Sequence, residues 1–308
     1  MPWVDVDALS GPEADSSETL ARWLEEGRIL LFRRAPFAIP DADREFLLTR
    51  RQSGGRIHKN IAYRPTRDRV TGASGTRADV QRLSRILRDY SRAALGFLAR
   101  RFPGYARSWH VDYASFRGIE EEGRSLPETS RNDLMHVDAF PTRPTQGGRI
   151  LRFFTNLNPE RAREWISGGT FDRLAPRYAV GSGLLAEALR RARPSPAARL
   201  LRAVGARRDL PSAYDAFMLR FHDFLKKNSD FQASAEKERF AFPPGSSWIV
   251  LTDMVSHAVL SGQFALEQTV ILDRASLVAP EKAPIAILER LAGAPLAAPV
   301  APEGSGRR

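Results

Sequence analysis

Five histidines occur in the chain, His58, His110, His136, His222 and His257, and two of them begin the same tripeptide, His-Val-Asp, at 110–112 and 136–138. In an extended segment residues i and i+2 share a face, so His-x-Asp presents an imidazole beside a carboxylate. A third ligand, a histidine from a distant strand, would complete the facial triad of non-haem Fe(II) oxygenases and leave positions open for a co-substrate and O2. There are no cysteines. That excludes disulfides, thiolate zinc sites and a thiol nucleophile together, so any metal must bind through imidazole and carboxylate.

Context separates the two copies. The motif at 136 is followed by a Pro/Gly-rich loop and then by the strand-like run RILRFFTN, which carries Arg149 and Arg152. A distal histidine, His257, follows a Pro-Pro-Gly-Ser turn and the apolar run SSWIVLTD. His-x-Asp, a basic residue one strand later and a histidine beyond a turn and a strand are the order expected of a double-stranded β-helix oxygenase. No arginine-bearing strand follows the copy at 110 at comparable spacing, which makes it a strand with a surface Asp112 and a hydrogen-bonded His110. No Gly-x-Ser-x-Gly elbow, Walker loop or Rossmann glycine spacing is present.

The elements that must position these residues are visible in the periodicity. Ser17–Glu26 reads as a short helix capped by Ser17, GRILLFRRAPF as a strand, and Arg77–Phe102 as an amphipathic helix with Leu83, Ile86, Tyr90 and Leu98 on one face. Short strand-like runs fill 105–160, two helical stretches occupy about 180–228, and β structure returns with SSWIVLTD, a loop carrying His257, and ALEQTVIL. The predicted fold is α+β: a double-stranded β-helix, jelly-roll or cupin-like, with N-terminal α/β elements. One domain over 1–295 is expected, with its β-helix core at about 105–275, a helical insert at about 180–228, and a disordered tail at 296–308.

Here the chain resembles the Kdo hydroxylases, a family of Fe(II)/2-oxoglutarate oxygenases. The resemblance is carried by ASFRGIEEEGR, by DLMHVDAFPTRPTQGGRILRFFTNLNP, by the block from SAYDAFMLRFHDFLKKNSDFQ to FPPGSSWIVLTDMVSHAVLSGQFALEQTVIL, and by APIAILERLAGAPL, which together run from about 114 to 296. It implies hydroxylation at C3 of 3-deoxy-D-manno-oct-2-ulosonic acid (Kdo) in Kdo-lipid A of lipopolysaccharide. Iron would be held by His136, Asp138 and His257, with 2-oxoglutarate and O2 as co-substrates and ascorbate as a possible support of activity. Many such enzymes place an arginine for the 2-oxoglutarate carboxylate about ten residues after the distal histidine, but SGQFALEQT contains none. The basic residue is then expected on the strand after His-x-Asp. Alternation sets Arg152, Asn156 and Asn158 on one face and Arg149 and Thr155 on the other; Arg152 is favoured, with Arg149, Thr155 and Asn156 as further co-substrate candidates. His222 reads as a partly buried helix histidine. Rival readings are an oxygenase of another small acidic substrate and a non-catalytic cupin-like metal-binding module.

Lys+Arg number 47 against Asp+Glu 36, a formal charge of +11 among 308 residues. Such a balance suits an anionic partner, or reflects an arginine-rich composition without electrostatic purpose. The acidic N-terminus shows no secretory signal, so a cytoplasmic protein is expected, with peripheral contact to the inner membrane and no nucleic-acid partner. The docking candidates are Arg56, Lys59, Arg64 and Arg67 in the basic loop that also holds His58. Oligomeric state is left open by the sequence.

Overall fold

A computed structural model of the chain describes residues 3–11, 16–50, 60–192 and 211–297. Its strands are β1 (Trp3–Asp5), β2 (Ile29–Phe32), β3 (Ile61–Arg64), β4 (Arg69–Thr71), β5 (His110–Arg117), β6 (Arg149–Asn156), β7 (Arg163–Thr170), β8 (Glu238–Phe242), β9 (Ser247–Leu251), β10 (Val255–Ser261) and β11 (Ala265–Leu272). They form an eight-stranded sheet in the order β1-β2-β9-β6-β11-β5-β3-β4 and a three-stranded sheet in the order β10-β7-β8. Apart from the parallel β1–β2 pair, the pairings are antiparallel. The architecture is the expected α+β jelly-roll-like sandwich.

β6 is central to the large sheet and nearly wholly buried, so its two faces serve two cores. Phe153 looks outward onto Phe37, Tyr90 and Phe97, which join it to helix α1 (Arg77–Arg101). Phe154 looks inward, 5.2 Å from Trp165 of β7 and 5.1 Å from Trp248 of β9 by ring centroids. Trp248 in turn stacks on Phe242 of β8 at 3.9 Å, and these rings fill the space between the sheets. A fully buried indole or phenyl removes some 150–250 Å² from water, so this aromatic group clamps the two sheets together.

The long helix is fixed at its start by a reciprocal capping box between Thr76 and Asp79. Across the open end of the sandwich lie α2 (Leu184–Ala192) and α3 (Ala213–Lys227). A second capping box, Ser212 with Asp215, starts α3, and Asn228 breaks it before a short helix, Ser229–Ser234. Asp215 also accepts from the backbone of Thr145 and Gln146, tying the helix to the loop after the His-x-Asp segment. A final helix, α4 (Pro284–Ala292), packs Ile285, Ile287 and Leu288 into the outer core.

Several local expectations are corrected. Ser16, not Ser17, caps the first helix, because its hydroxyl accepts from Thr19 N. His257 lies on a strand, β10, and not in a loop. His136 and Asp138 lie in an extended segment that forms an isolated bridge, not in a strand. Among the described residues, helical structure around the insert begins earlier than 180, at Phe171, and ends later than 228, at Ser234. Leu296, assigned to the tail, is buried and accepts from Tyr214 N, while residues 298–308 lie outside the described residues.

Candidate metal centre and its cavity

The His-x-Asp segment is held from three sides. His136 exchanges two backbone hydrogen bonds with His257, donating at 3.0 Å and accepting at 2.8 Å. Asp138 N donates to Thr252 O at 2.8 Å, where the chain turns between β9 and β10. The Gln232 amide accepts from Met135 N and donates to Met135 O, pinning the segment to the helices. Gly168 of β7 permits this approach, since a Cβ there would stand 2.7 Å from Met135 Cε and 2.5 Å from Glu236 O.

Three imidazoles converge here. His136 Nδ1 lies 2.7 Å from Leu134 O, His257 Nδ1 lies 3.0 Å from Val255 O, and His222 Nδ1, on α3, lies 2.9 Å from Val137 O. A carbonyl oxygen only accepts, so each Nδ1 carries the proton and each Nε2 keeps its lone pair. Ring centroids of His257 and His222 stand 4.8 Å and 4.7 Å from that of His136, and Trp165 stacks on His257. Donor atoms of His136, Asp138 and His222 lie within 4.8 Å of one another. Burial pushes all three histidines below their usual range, with Asp138 opposing, so they are neutral at pH 7. Burial would raise the Asp138 carboxyl, but Arg152 and the neighbouring imidazoles outweigh it and hold it well below the carboxylate range. Neutral imidazoles and an ionised carboxylate are the donor set that Fe(II) takes.

These groups open into a cavity of about 560 Å³. Its wall includes Arg152 and Phe154 of β6, Arg117 of β5, Asn132, and Lys226 and Asp223 of α3. Arg152 Nε stands 2.9 Å from Asp138 Oδ2 but off its N–H axis, so the contact is Coulombic and that buried N–H has no hydrogen-bond partner. The other end of the guanidinium reaches Glu267 Oε1 at 2.5 Å, and Glu267 Oε2 takes Arg117 at 2.5 Å. Ser115 and Thr269 complete the Glu267 shell. A continuous buried chain, Asp138–Arg152–Glu267–Arg117, thus runs from the candidate ligand into the sheet. Lys226, its stem buried, donates to Thr129 O, and burial lowers it to about 8 despite nearby Asp138 and Asp223.

Other candidates lie elsewhere. Arg149 is wholly buried at the opposite end of β6, paired with Asp253 at 2.9 Å, and does not line the cavity. Thr155 faces the helix-covered side, sharing hydrogen bonds with Tyr90 and Ser247. Asn156 has turned into the end of the strand, where its amide donates to the carbonyls of Arg161 and Phe242. The second His-Val-Asp is also different from the expectation: His110 is exposed, whereas Asp112 is largely covered and paired with Arg143 at 2.6 Å. Lys226, Glu267, Arg117 and Gln232 were not singled out from the sequence. Glu267 alone had a signal, because it occupies the place, ten residues after His257, where an arginine was sought.

A two-sheet sandwich whose open end gathers His-x-Asp and a distal histidine over a cationic cavity has the build of a non-haem iron oxygenase. The family model described as 3-deoxy-D-manno-oct-2-ulosonic acid (Kdo) hydroxylase matches residues 9–295, and the chain belongs to that family. Crystal structures of the Kdo hydroxylase KdoO, a non-haem Fe(II) α-ketoglutarate-dependent dioxygenase, are similar over nearly the full length. The complex with cobalt(II) shows 33% identity and a TM-score of 0.81, covering 98% of this chain and 99% of that one. The complex with α-ketoglutarate and Fe(III) gives 33% and 0.79, covering 96% and 98%. None of the curated proteins matches the chain.

The buried chain gives stability a defined pH dependence. Burial raises the Glu267 carboxyl, but Arg117 and Arg152 prevail and bring it down to about 2, against 4.5 ordinarily. A depressed carboxyl stabilises the fold fully above the unfolded value and loses this contribution as pH falls towards the folded one. Glu267→Gln should cost about 3–5 kcal/mol at neutral pH, because two buried guanidinium groups lose their partner. The gap from wild type, read from urea midpoints, should narrow between pH 4.5 and 2; a gap independent of pH would show that Glu267 is not ionised in the fold.

Proposed function

We propose that the chain is an Fe(II)/2-oxoglutarate-dependent dioxygenase that hydroxylates Kdo at C3 in Kdo-lipid A, with His136, Asp138 and His257 as its iron ligands. The observation that carries this is the direct backbone bridge between His136 and His257, which sets two Nε2 lone pairs and the Asp138 carboxylate at the floor of a cationic cavity in a member of the Kdo hydroxylase family. When bound, the iron with 2-oxoglutarate activates O2 for insertion into a C–H bond. The protein's own part is positioning. The carbonyls of Leu134 and Val255 fix the imidazole tautomers. Arg152 stands beside the Asp138 carboxylate, and its unpartnered Nε–H would be the donor for the distal carboxylate of 2-oxoglutarate when that co-substrate is bound. Lys226 and Arg117 remain to attract an acidic sugar. Phe154 and Trp165 exclude water from one wall, and specificity lies in how the cavity aims one C–H bond.

A second ligand reading has its own observation: the donor atoms of His136, Asp138 and His222 lie within 4.8 Å of one another, a group that does not include His257. His222 comes from a helix and His257 from a strand paired directly to His136, which favours His257 as the rigid third ligand. Incubating the protein with Kdo-lipid A, Fe(II) and 2-oxoglutarate should add one oxygen, detected by mass spectrometry. His136→Ala, Asp138→Ala and His257→Ala should abolish it, while His110→Ala and His222→Ala keep turnover. Loss in His222→Ala together with activity in His257→Ala would exchange the two histidines.

Arg152→Ala should weaken 2-oxoglutarate by about 2–5 kcal/mol, since a buried carboxylate loses its paired charge, read as a raised co-substrate requirement. An unchanged requirement would move that role to Arg117 or Lys226.

The lipid acceptor places the reaction at an anionic bilayer surface, and among the described residues no helix is long and apolar enough to cross a membrane. Peripheral docking at the inner membrane by basic side chains, each worth about 1 kcal/mol near such a surface, fits the +11 charge. Of the four proposed docking residues, Arg56 and Lys59, like His58, lie outside the described residues, Arg67 is exposed, and Arg64 is turned into a cavity. Turnover on vesicle-borne acceptor should fall steeply with added salt, while turnover on a water-soluble acceptor changes little; equal salt responses would remove the docking surface.

A further inference from the structure

A second cavity of about 420 Å³ opens beside the first and shares Asn60, Arg117 and Arg152 with it. Its far wall is made by Arg64, Tyr113, Phe140 and Arg143. The cations of this wall are not equivalent. Arg117 and Arg152 each pair with Glu267, and Arg143 with Asp112 at 2.6 Å, its guanidinium 4.1 Å from the ring centroids of both Tyr113 and Phe140. Among the described residues Arg64 has no such partner. Its guanidinium rests 4.9 Å from the Tyr113 centroid, its Nε is buried without a hydrogen-bond acceptor, and no carboxylate among the described residues stands within ion-pair distance.

A cation drawn partly out of water beside a cavity, with a buried donor unsatisfied, carries a desolvation cost that a structural role alone would relieve by pairing. The stack on Tyr113 offsets only part of it and holds the guanidinium plane in one orientation. A preoriented fork of this kind matches a carboxylate or phosphate through two parallel hydrogen bonds. Each cavity lies within the size range of small-molecule sites, and the two adjoin through Arg117 and Arg152 at the mouth of the candidate metal centre.

We propose that this second cavity is a subsite for a second anionic group of the acceptor, a carboxylate or phosphate one sugar removed from the reacting C–H bond, with Arg64 as the cation that pairs with it and Tyr113 and Arg143 as the platform that orients Arg64. The inference rests on the acidic-sugar reading of the main cavity and adds that the acceptor is recognised at two anionic points, so a monosaccharide acid is a poor ligand.

Calorimetry on the full-length protein, anaerobic and loaded with Fe(II) and 2-oxoglutarate, tests this without turnover. Three acceptors are compared: the Kdo monosaccharide, a Kdo disaccharide with a second carboxylate, and a single Kdo carried on phosphorylated glucosamine. Wild type should bind at least one extended acceptor ~10-fold or more tightly than the monosaccharide, the range of a charged hydrogen bond. Arg64→Ala should erase that gain and Arg64→Lys, which keeps charge and stem, should restore part of it. The arm that shows the Arg64-dependent gain identifies the anion. Thermal midpoints of both variants separate a folding defect from a binding one, and a misfolded Arg64→Ala leaves Arg64→Gln to make the same comparison. No gain in wild type, or a gain untouched in the variants, overturns the subsite. If Arg64-dependent binding holds but no oxygen is added under aerobic conditions, the hydroxylation reading fails while the subsite stands.

Discussion

Two backbone hydrogen bonds between His136 and His257 hold the candidate centre together. The segment around His136 belongs to neither sheet, and this bridge is what pairs it directly with the strand that carries His257. Antiparallel pairing sets opposed residues about 4.5–5.5 Å apart, which is the spacing two ligands of one metal require. The remainder of the fold maintains that pairing: Trp165 stacked on His257, the glycine that lets Met135 approach β7, and the Gln232 amide that closes the segment from the helical side.

The chain of buried charge is the second constraint. Four ionised groups, Asp138, Arg152, Glu267 and Arg117, lie within the protein, where each alone would cost several kcal/mol to desolvate. They are stable there as an alternating series, and the series ends on a candidate ligand. Glu267 stands at the place where many oxygenases of this kind carry an arginine, so the positive charge has moved one strand across, to β6, and the carboxylate left on β11 anchors it. If Asp138 and Arg152 take the roles proposed for them, the carboxylate ligand and the co-substrate cation are coupled, because Arg152 stands 2.9 Å from the Asp138 carboxylate.

Much of this was legible in the sequence because the chemistry is local. His-x-Asp, the distal histidine after its turn, the long amphipathic helix and the strand ALEQTVIL follow from periods of two and 3.6 and from residue type, and β11 runs over the eight residues expected. Alternation also set Arg152 and Arg149 on opposite faces, while the preference for Arg152 rested on the amides sharing its face, neither of which lines the cavity that Arg152 enters. It failed at Asn156, where the strand ends and the amide turns to loop carbonyls, and at Thr155, whose face is covered by a helix distant in sequence. Lys226, Gln232 and the partner of Asp112 were out of reach for the same reason: they meet the site from 30 to nearly 100 residues away, and no local period encodes that encounter.

The two histidines joined by the backbone bridge, His136 and His257, and not the helix-borne His222, are the ones proposed to take the metal. Pulsed EPR on the copper(II)-loaded protein, which counts coordinated imidazoles through their remote nitrogens, reads this directly. The account predicts two imidazoles in wild type, two in His222→Ala and one in His257→Ala. A count that falls in His222→Ala and stays at two in His257→Ala would contradict it.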